Sequence, residues 1–158
     1  MHITFVIKRG LDYEVRLQII GARGPARLLG DLSTRSPGTE HARCRRTLQE
    51  IREPLFTTAP VLTEAFHMLG PASIGSQRLR EFVEDGGLSV WFLDRASLTH
   101  SFELMELYED HPMDLADASL IAAAEALGTR RVFTIDRKDF ETYRVRRGHR
   151  HHPVQIVS

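Results

Sequence analysis

The sequence predicts an α/β chain packed round a central, mainly parallel sheet. Three observations predict it. Short β-rich apolar runs alternate with longer helix-type segments from residue 55 to the end. Pro and Gly punctuate the helix-type segments where helices start and stop. A length of 158 residues is enough for one domain with a substantial core, and no repeat or long linker divides it.

Taken in order, Ile3, Phe5 and Ile7, then Tyr13, Val15, Leu17 and Ile19, alternate with polar residues around "KRGLD". Period two with a turn signal predicts a β-hairpin. The Gly-, Pro- and Arg-rich stretch 21–40 predicts irregular chain, with a short strand at "ARLLG". "EHARCRRTLQEI" predicts a helix over 40–51, with Pro54 beyond its end. "LFTT" predicts a strand, and "PVLTEAFHML" a helix opened by Pro60 and closed by Gly70-Pro71. "SQRLREFVEDGG" predicts a helix stopped by Gly86-Gly87, and "LSVWFL" a strand with Trp91 and its neighbours in the core. A helix over 97–108 is expected to use Leu98, Phe102, Met105 and Leu107 as its apolar members. "DLADASLIAAAEALG" is the strongest helix signal: alanine and leucine dominate, Asp114 precedes it and Gly128 ends it. "RRVFTI" predicts a strand, "DRKDFETY" a polar turn or short helix, and "VQIV" a last strand.

Composition narrows the function classes. The chain carries 21 basic and 21 acidic residues, so a nucleic-acid site has to be a local patch rather than a basic domain. Charge balance leaves little long-range repulsion against self-association. Cys44 is the only cysteine, which excludes an intrachain disulfide and fits a reducing compartment. No apolar run approaches the roughly 20 residues needed to span a bilayer. The segment "MHITFVIKRGLDYEV" lacks the long apolar core of a signal peptide, so a cytoplasmic protein is expected. Phosphate-binding loops and dinucleotide-binding glycine patterns are absent from the sequence.

The acids of the last third raise the chemical question. Asp136 follows the strand "RVFTI" and so projects from its carboxyl end, where α/β sheets bind ligands. Asp117 falls in the first turn of the alanine-rich helix, where the dipole favours a negative charge. Glu64 sits on a helix among Val61, Leu62, Ala65, Phe66 and Leu69, facing a candidate pocket. Carboxylates converging from distant segments suit a hard divalent cation. Plainer roles stand beside this one. Asp114 reads as an N-cap with acidic Asp117 three residues on, Asp117 as dipole compensation, and Asp139 as a cap of the turn.

With these residues in place, "TTAPVLTEAFHMLG" followed by "LYEDHPMDLADASLIAAAEALGTRRVFTIDRKDFETYR" resembles the PIN-domain nucleases, especially the toxins of VapBC-type toxin–antitoxin pairs. The resemblance runs over about 40–143, leaving 1–39 as an atypical segment of the one domain. It implies a three-layer α/β/α sandwich and a magnesium- or manganese-dependent endoribonuclease. It also implies a homodimer and a small antitoxin that neutralises it. Carried over residue by residue, Glu64, Asp117 and Asp136 are the metal-ligating acids, and Thr134 and Arg137 contact substrate. The family's first aspartate, after an N-terminal strand, matches Asp31 in "RLLGDLST". A second alignment, on "IIGARGP", puts glycine or arginine there and implies a binding module without catalysis.

Two other features bear on metal and phosphate binding. Glu64 and His67 are spaced i, i+3, but without a second such pair His67 reads as an ordinary helix residue. "GHRHHP" holds His149, His151 and His152, a poor zinc spacing. With Arg144, Arg146, Arg147 and Arg150 it reads as a solvated basic tail that could hold phosphates or acidic residues of an antitoxin.

Overall fold

The structure, a computed structural model, describes residues 5–7, 46–47, 50–111, 113–134 and 137–157. The strand expected at "ARLLG", the hairpin arm Tyr13–Ile19, most of the helix expected over 40–51, and both Asp31 and Asp136 lie outside the described residues. Arg46, Thr47 and Glu50 are helical, and this segment ends before Ile51.

A mixed α/β chain is what the alternation predicted. The strands are β1 (Phe5–Ile7), β2 (Leu55–Thr58), β3 (Ser89–Trp91), β4 (Arg131–Phe133), β5 (Arg144–Arg147), β6 (Arg150–Pro153) and β7 (Gln155–Val157). Beyond residue 50 the helices are α1 (Ala59–Leu69), α2 (Ile74–Glu84), α3 (Arg95–Leu107), α4 (Leu115–Ala126) and α5 (Arg137–Thr142). Five strands form one sheet in the order β3-β2-β1-β4-β7. β2 pairs parallel with β3 and β4 parallel with β7, while β1 is antiparallel to both β2 and β4. Four strands therefore run one way and the middle one runs against them. Both edges of β1 are taken by β2 and β4, so Phe5–Ile7 cannot be the arm of the expected hairpin. Alternation alone shows which residues share a face and says nothing about which strand becomes the neighbour.

Strand alternation divides the core. Val6, Val132 and half-buried Phe56 and Ile156 point to one face of the sheet and pack with Leu120, Ile121 and Ala124 of α4. Leu55, Phe133 and half-buried Val157 point to the other and pack with Leu79 and Phe82 of α2. Each face thus meets a helix. α4 is buried almost all round, from Ala116 through Ala124, because small side chains let its neighbours approach closely. Gly87 makes a similar close approach: a Cβ there would stand 2.1 Å from the Phe82 ring.

Three expectations are corrected. Helix α3 does not bury Leu98, Phe102 and Leu107, which are 36%, 48% and 68% exposed. Its inward stripe is Ser101, Leu104, Met105 and Tyr108, the i, i+3, i+4, i+7 set, and buried Ser101 lets α3 lie against α4. Next to half-buried Trp91, Phe92 is 75% exposed rather than core. The supposed basic tail is a β-hairpin, with Arg144 opposite Pro153, Val145 opposite His152, Arg146 opposite His151 and Arg147 opposite Arg150. Its two-residue loop begins at Gly148, whose φ of +62° is the positive value that a type II′ turn needs first. Val145 and Val154 fasten this hairpin to the α4 side of the core. With only these two valines buried, the hairpin leaves almost no apolar alternation in the sequence.

Two buried side-chain atoms have no hydrogen-bond partner among the described residues: Arg131 Nε and the hydroxyl of Thr57, a residue only 1% exposed. Thr57→Val keeps the shape and removes the stranded hydroxyl, so it is expected to stabilise the chain by about 1 kcal/mol. Urea unfolding of both proteins checks it, and a lower midpoint for the valine variant would refute it. Among the described residues no helix is long and apolar enough to cross a membrane.

Candidate acidic site

Three elements bring acids together at the amino end of α4. Asp114 is the N-cap: its Oδ1 accepts the Asp117 N–H at 2.8 Å, and its backbone carbonyl accepts Ala118 N–H at 3.0 Å. The expected cap therefore forms. Asp117, the third residue of the helix, turns its carboxylate elsewhere and accepts the Tyr143 hydroxyl at Oδ2, 3.2 Å away. Glu64 comes from the middle of α1 and is exposed. Asp139 comes from the first turn of α5 and is half-buried.

The charges of these residues meet at Asp117. Burial pushes its carboxyl up to about 7, and the negative charge of Asp114 adds to the rise. The Tyr143 hydrogen bond works against the shift, while Asp139 and Glu64 reinforce it. Glu64 is itself raised, by burial and then by Asp114. Tyr143 is held above the ordinary tyrosine range by burial and by the Asp117 charge, so it remains a donor. Among the described residues, no Lys, Arg or His makes an ion pair with any of the four acids.

The scaffold beneath them is fixed by hydroxyls and aromatic rings. Ser119 Oγ gives its proton to the Ala116 carbonyl at 2.7 Å, so in the 2.5 Å contact between Thr58 and Ser119 the threonine is the donor. This buried link joins the end of β2, where α1 begins, to the first turns of α4. Tyr143 lies edge-on to Tyr108 and Phe140, with ring centroids 5.2 and 5.3 Å away, which fixes its hydroxyl against Asp117.

Of the residues expected from sequence, Glu64 and Asp117 are brought within electrostatic reach of each other. Thr134 is fully buried just past β4, and Arg137 opens α5 with its side chain exposed. Sequence reasoning gave Asp139 only a capping role and overlooked Tyr143. A helical reading of "DRKDFETY" would have found both, because positions 136, 139, 140 and 143 recur as i, i+3, i+4, i+7.

Carboxylates within electrostatic reach of one another, with no ion-pairing cation among the described residues, are the donor chemistry that a hard divalent cation takes. Among the described residues, no three His, Cys, Asp or Glu side chains are grouped so as to hold a metal ion. Asp136 and Asp31 lie outside those residues. No model of a known protein family matches the chain, and no curated protein matches it.

Proposed function

We infer that this chain is a PIN-type ribonuclease, a divalent-metal-dependent hydrolase of RNA phosphodiester bonds acting in the cytoplasm. One observation carries the reading: Asp117 of α4, within electrostatic reach of Asp114, of Asp139 on α5 and of Glu64 on α1, has its carboxyl pushed up to about 7, first by burial and then by the charge of Asp114. Helices packed on both faces of the sheet support a three-layer α/β/α sandwich, as the resemblance implies.

Glu64, Asp117 and Asp136, with Asp31 as a fourth, would hold magnesium or manganese. Such an ion supplies a more acidic bound water and stabilises the charge developing on the phosphate. Tyr143 keeps the Asp117 carboxylate in one orientation, and the Thr58–Ser119 link holds the ends of β2 and α4 in register beneath it. Thr134 and Arg137 would lie along the substrate. Exposed Phe92, Phe102 and Leu107 supply the apolar surface that a second copy of the chain and a small antitoxin would cover.

Incubation of labelled RNA with the purified chain is expected to give cleavage with magnesium or manganese and none after chelation with EDTA. Intact RNA under both conditions would overturn the assignment. A second reading, a non-catalytic binding module on the same scaffold, is favoured by the central strand. β1 ends at Ile7 and is followed by Lys8 and Arg9, so no acid leaves its end. Calorimetric titration separates the two, because a site short of a carboxylate takes up magnesium weakly or not at all.

A further inference from the structure

The hairpin β5–β6 concentrates charge of one sign. Between Arg144 and Val157 the chain has four arginines, three histidines and no acid. The two ends of the hairpin differ in how that charge is met. Near its root, Arg144, Arg146 and His151 face Glu103 and Glu125 across a cavity of about 220 Å³, and Arg146 Nε comes within 3.9 Å of Glu125. At its tip, Arg147 and Arg150 are cross-strand partners, and both are exposed. Neither makes an ion pair among the described residues. Like charges directly opposite one another on an antiparallel pair are destabilising. An anion between them would remove the repulsion.

The position of the hairpin indicates which anion. Tyr143, whose hydroxyl touches Asp117, immediately precedes β5, so the hairpin is rooted in the acidic site. Four extended residues then reach about 13 Å, a few nucleotide spacings along a strand. Val145, fully buried, holds the ribbon in place. Resting on the ribonuclease reading, we propose that Arg147 and Arg150 grip phosphates of the RNA strand a few nucleotides from the scissile bond. The guanidinium forks match phosphate oxygens two by two. An acidic peptide would use only the arginines, whereas RNA would also offer, a few nucleotides on, the phosphodiester that the acidic site would cut once it held a divalent cation.

The test measures binding apart from cleavage. The full chain is titrated against fluorescein-labelled single-stranded RNA in EDTA, with anisotropy read at several salt concentrations. R147A/R150A is expected to bind about ten-fold more weakly at low salt, and to flatten the slope of log K against log salt by about 1.4, or about 0.7 per lost contact. R147K/R150K should restore the slope and only part of the affinity. Both positions are exposed, and circular dichroism verifies that the variants fold. Parental affinity and slope in R147A/R150A overturn the proposal, as does a parent that fails to bind RNA. So does displacement of the RNA by polyglutamate more effectively than by unlabelled RNA, which assigns the hairpin to an acidic protein. A parent that binds RNA through the two arginines but never cleaves it upholds the hairpin and removes the nuclease.

Discussion

Asp117→Asn is expected to yield a protein that is more stable than its parent above neutral pH and inert towards RNA. In the folded chain the Asp117 carboxyl titrates near 7, against an ordinary value of 3.8. Between about pH 4 and pH 7 the native state therefore keeps a proton that the unfolded chain has lost, and stability falls as pH rises through that window. The full loss, on the order of 2–4 kcal/mol, is present above about pH 8 and absent below about pH 4. Asparagine never ionises, so the variant escapes this decline and still accepts the Tyr143 hydroxyl through its amide oxygen. Chemical unfolding of both proteins in EDTA across that range should give curves that coincide in acid and diverge in base. Magnesium should recover stability in the parent but not in the variant, since only a ligand that binds the folded state shifts the equilibrium. Cleavage should fall by ~100-fold or more. Parallel stability curves across the whole range would show that Asp117 carries no buried charge. Unchanged cleavage would dismiss it from the site.

Glu125→Ala is expected to be the most damaging single change outside the apolar core. Glu125 closes the last turn of α4, and its carboxylate holds two other elements. Oε2 meets His100 Nε2 of α3 at 2.7 Å, and Oε1 accepts the Arg146 backbone N–H of β5 at 2.6 Å. Its side chain is 10% exposed, but the Arg146 amide and His100 that it holds border the cavity of about 220 Å³, so truncation leaves both to water in place of a charged acceptor. The cost should be about 1–3 kcal/mol. Hydrogen exchange should show the loss concentrated in the Arg146 amide and its hairpin neighbours, and Glu125→Gln, which can still accept that N–H, should recover part of it. Unaltered protection of the hairpin amides in the alanine variant would mean that Val145 alone holds β5 to α4.

Much of α4 was legible in the sequence, because propensity, capping and burial all point the same way there. Asp114 caps it, alanines fill it, and Gly128 follows at a φ of +65°. The start of α1 was equally legible from its proline, whereas α2 begins at Ile74, two residues before the expected "SQRLREFVEDGG", because Ser73 caps it by accepting Ser76 N–H at its hydroxyl. Three other features were hidden for separate physical reasons. The direction of β1 depends on non-local pairing, which leaves no local pattern. The hairpin β5–β6 has arginine and histidine where strands usually show β-branched residues, and polar ends sit comfortably on a ribbon with so little buried surface. In α3 the largest apolar residues look outward and a serine looks inward, so weighing residues by size selects the wrong face. For the site, carboxylates at 64 and 117 could be named in advance because the elements bearing them were predicted correctly. Tyr143 could not, since a tyrosine at a helix end carries no chemical signal until its neighbours are known.

The middle strand has a consequence for how this chain comes into being. Phe5 stands far ahead of its ladder partner Phe133 in the chain, and Val6 is fully enclosed between Phe56 and Val132. The keystone is therefore translated before both of its neighbours and can be seated only once β4 has followed. Closing so wide a loop is slow compared with forming the helices between its ends. Until it closes, β2 and β4 have no strand between them.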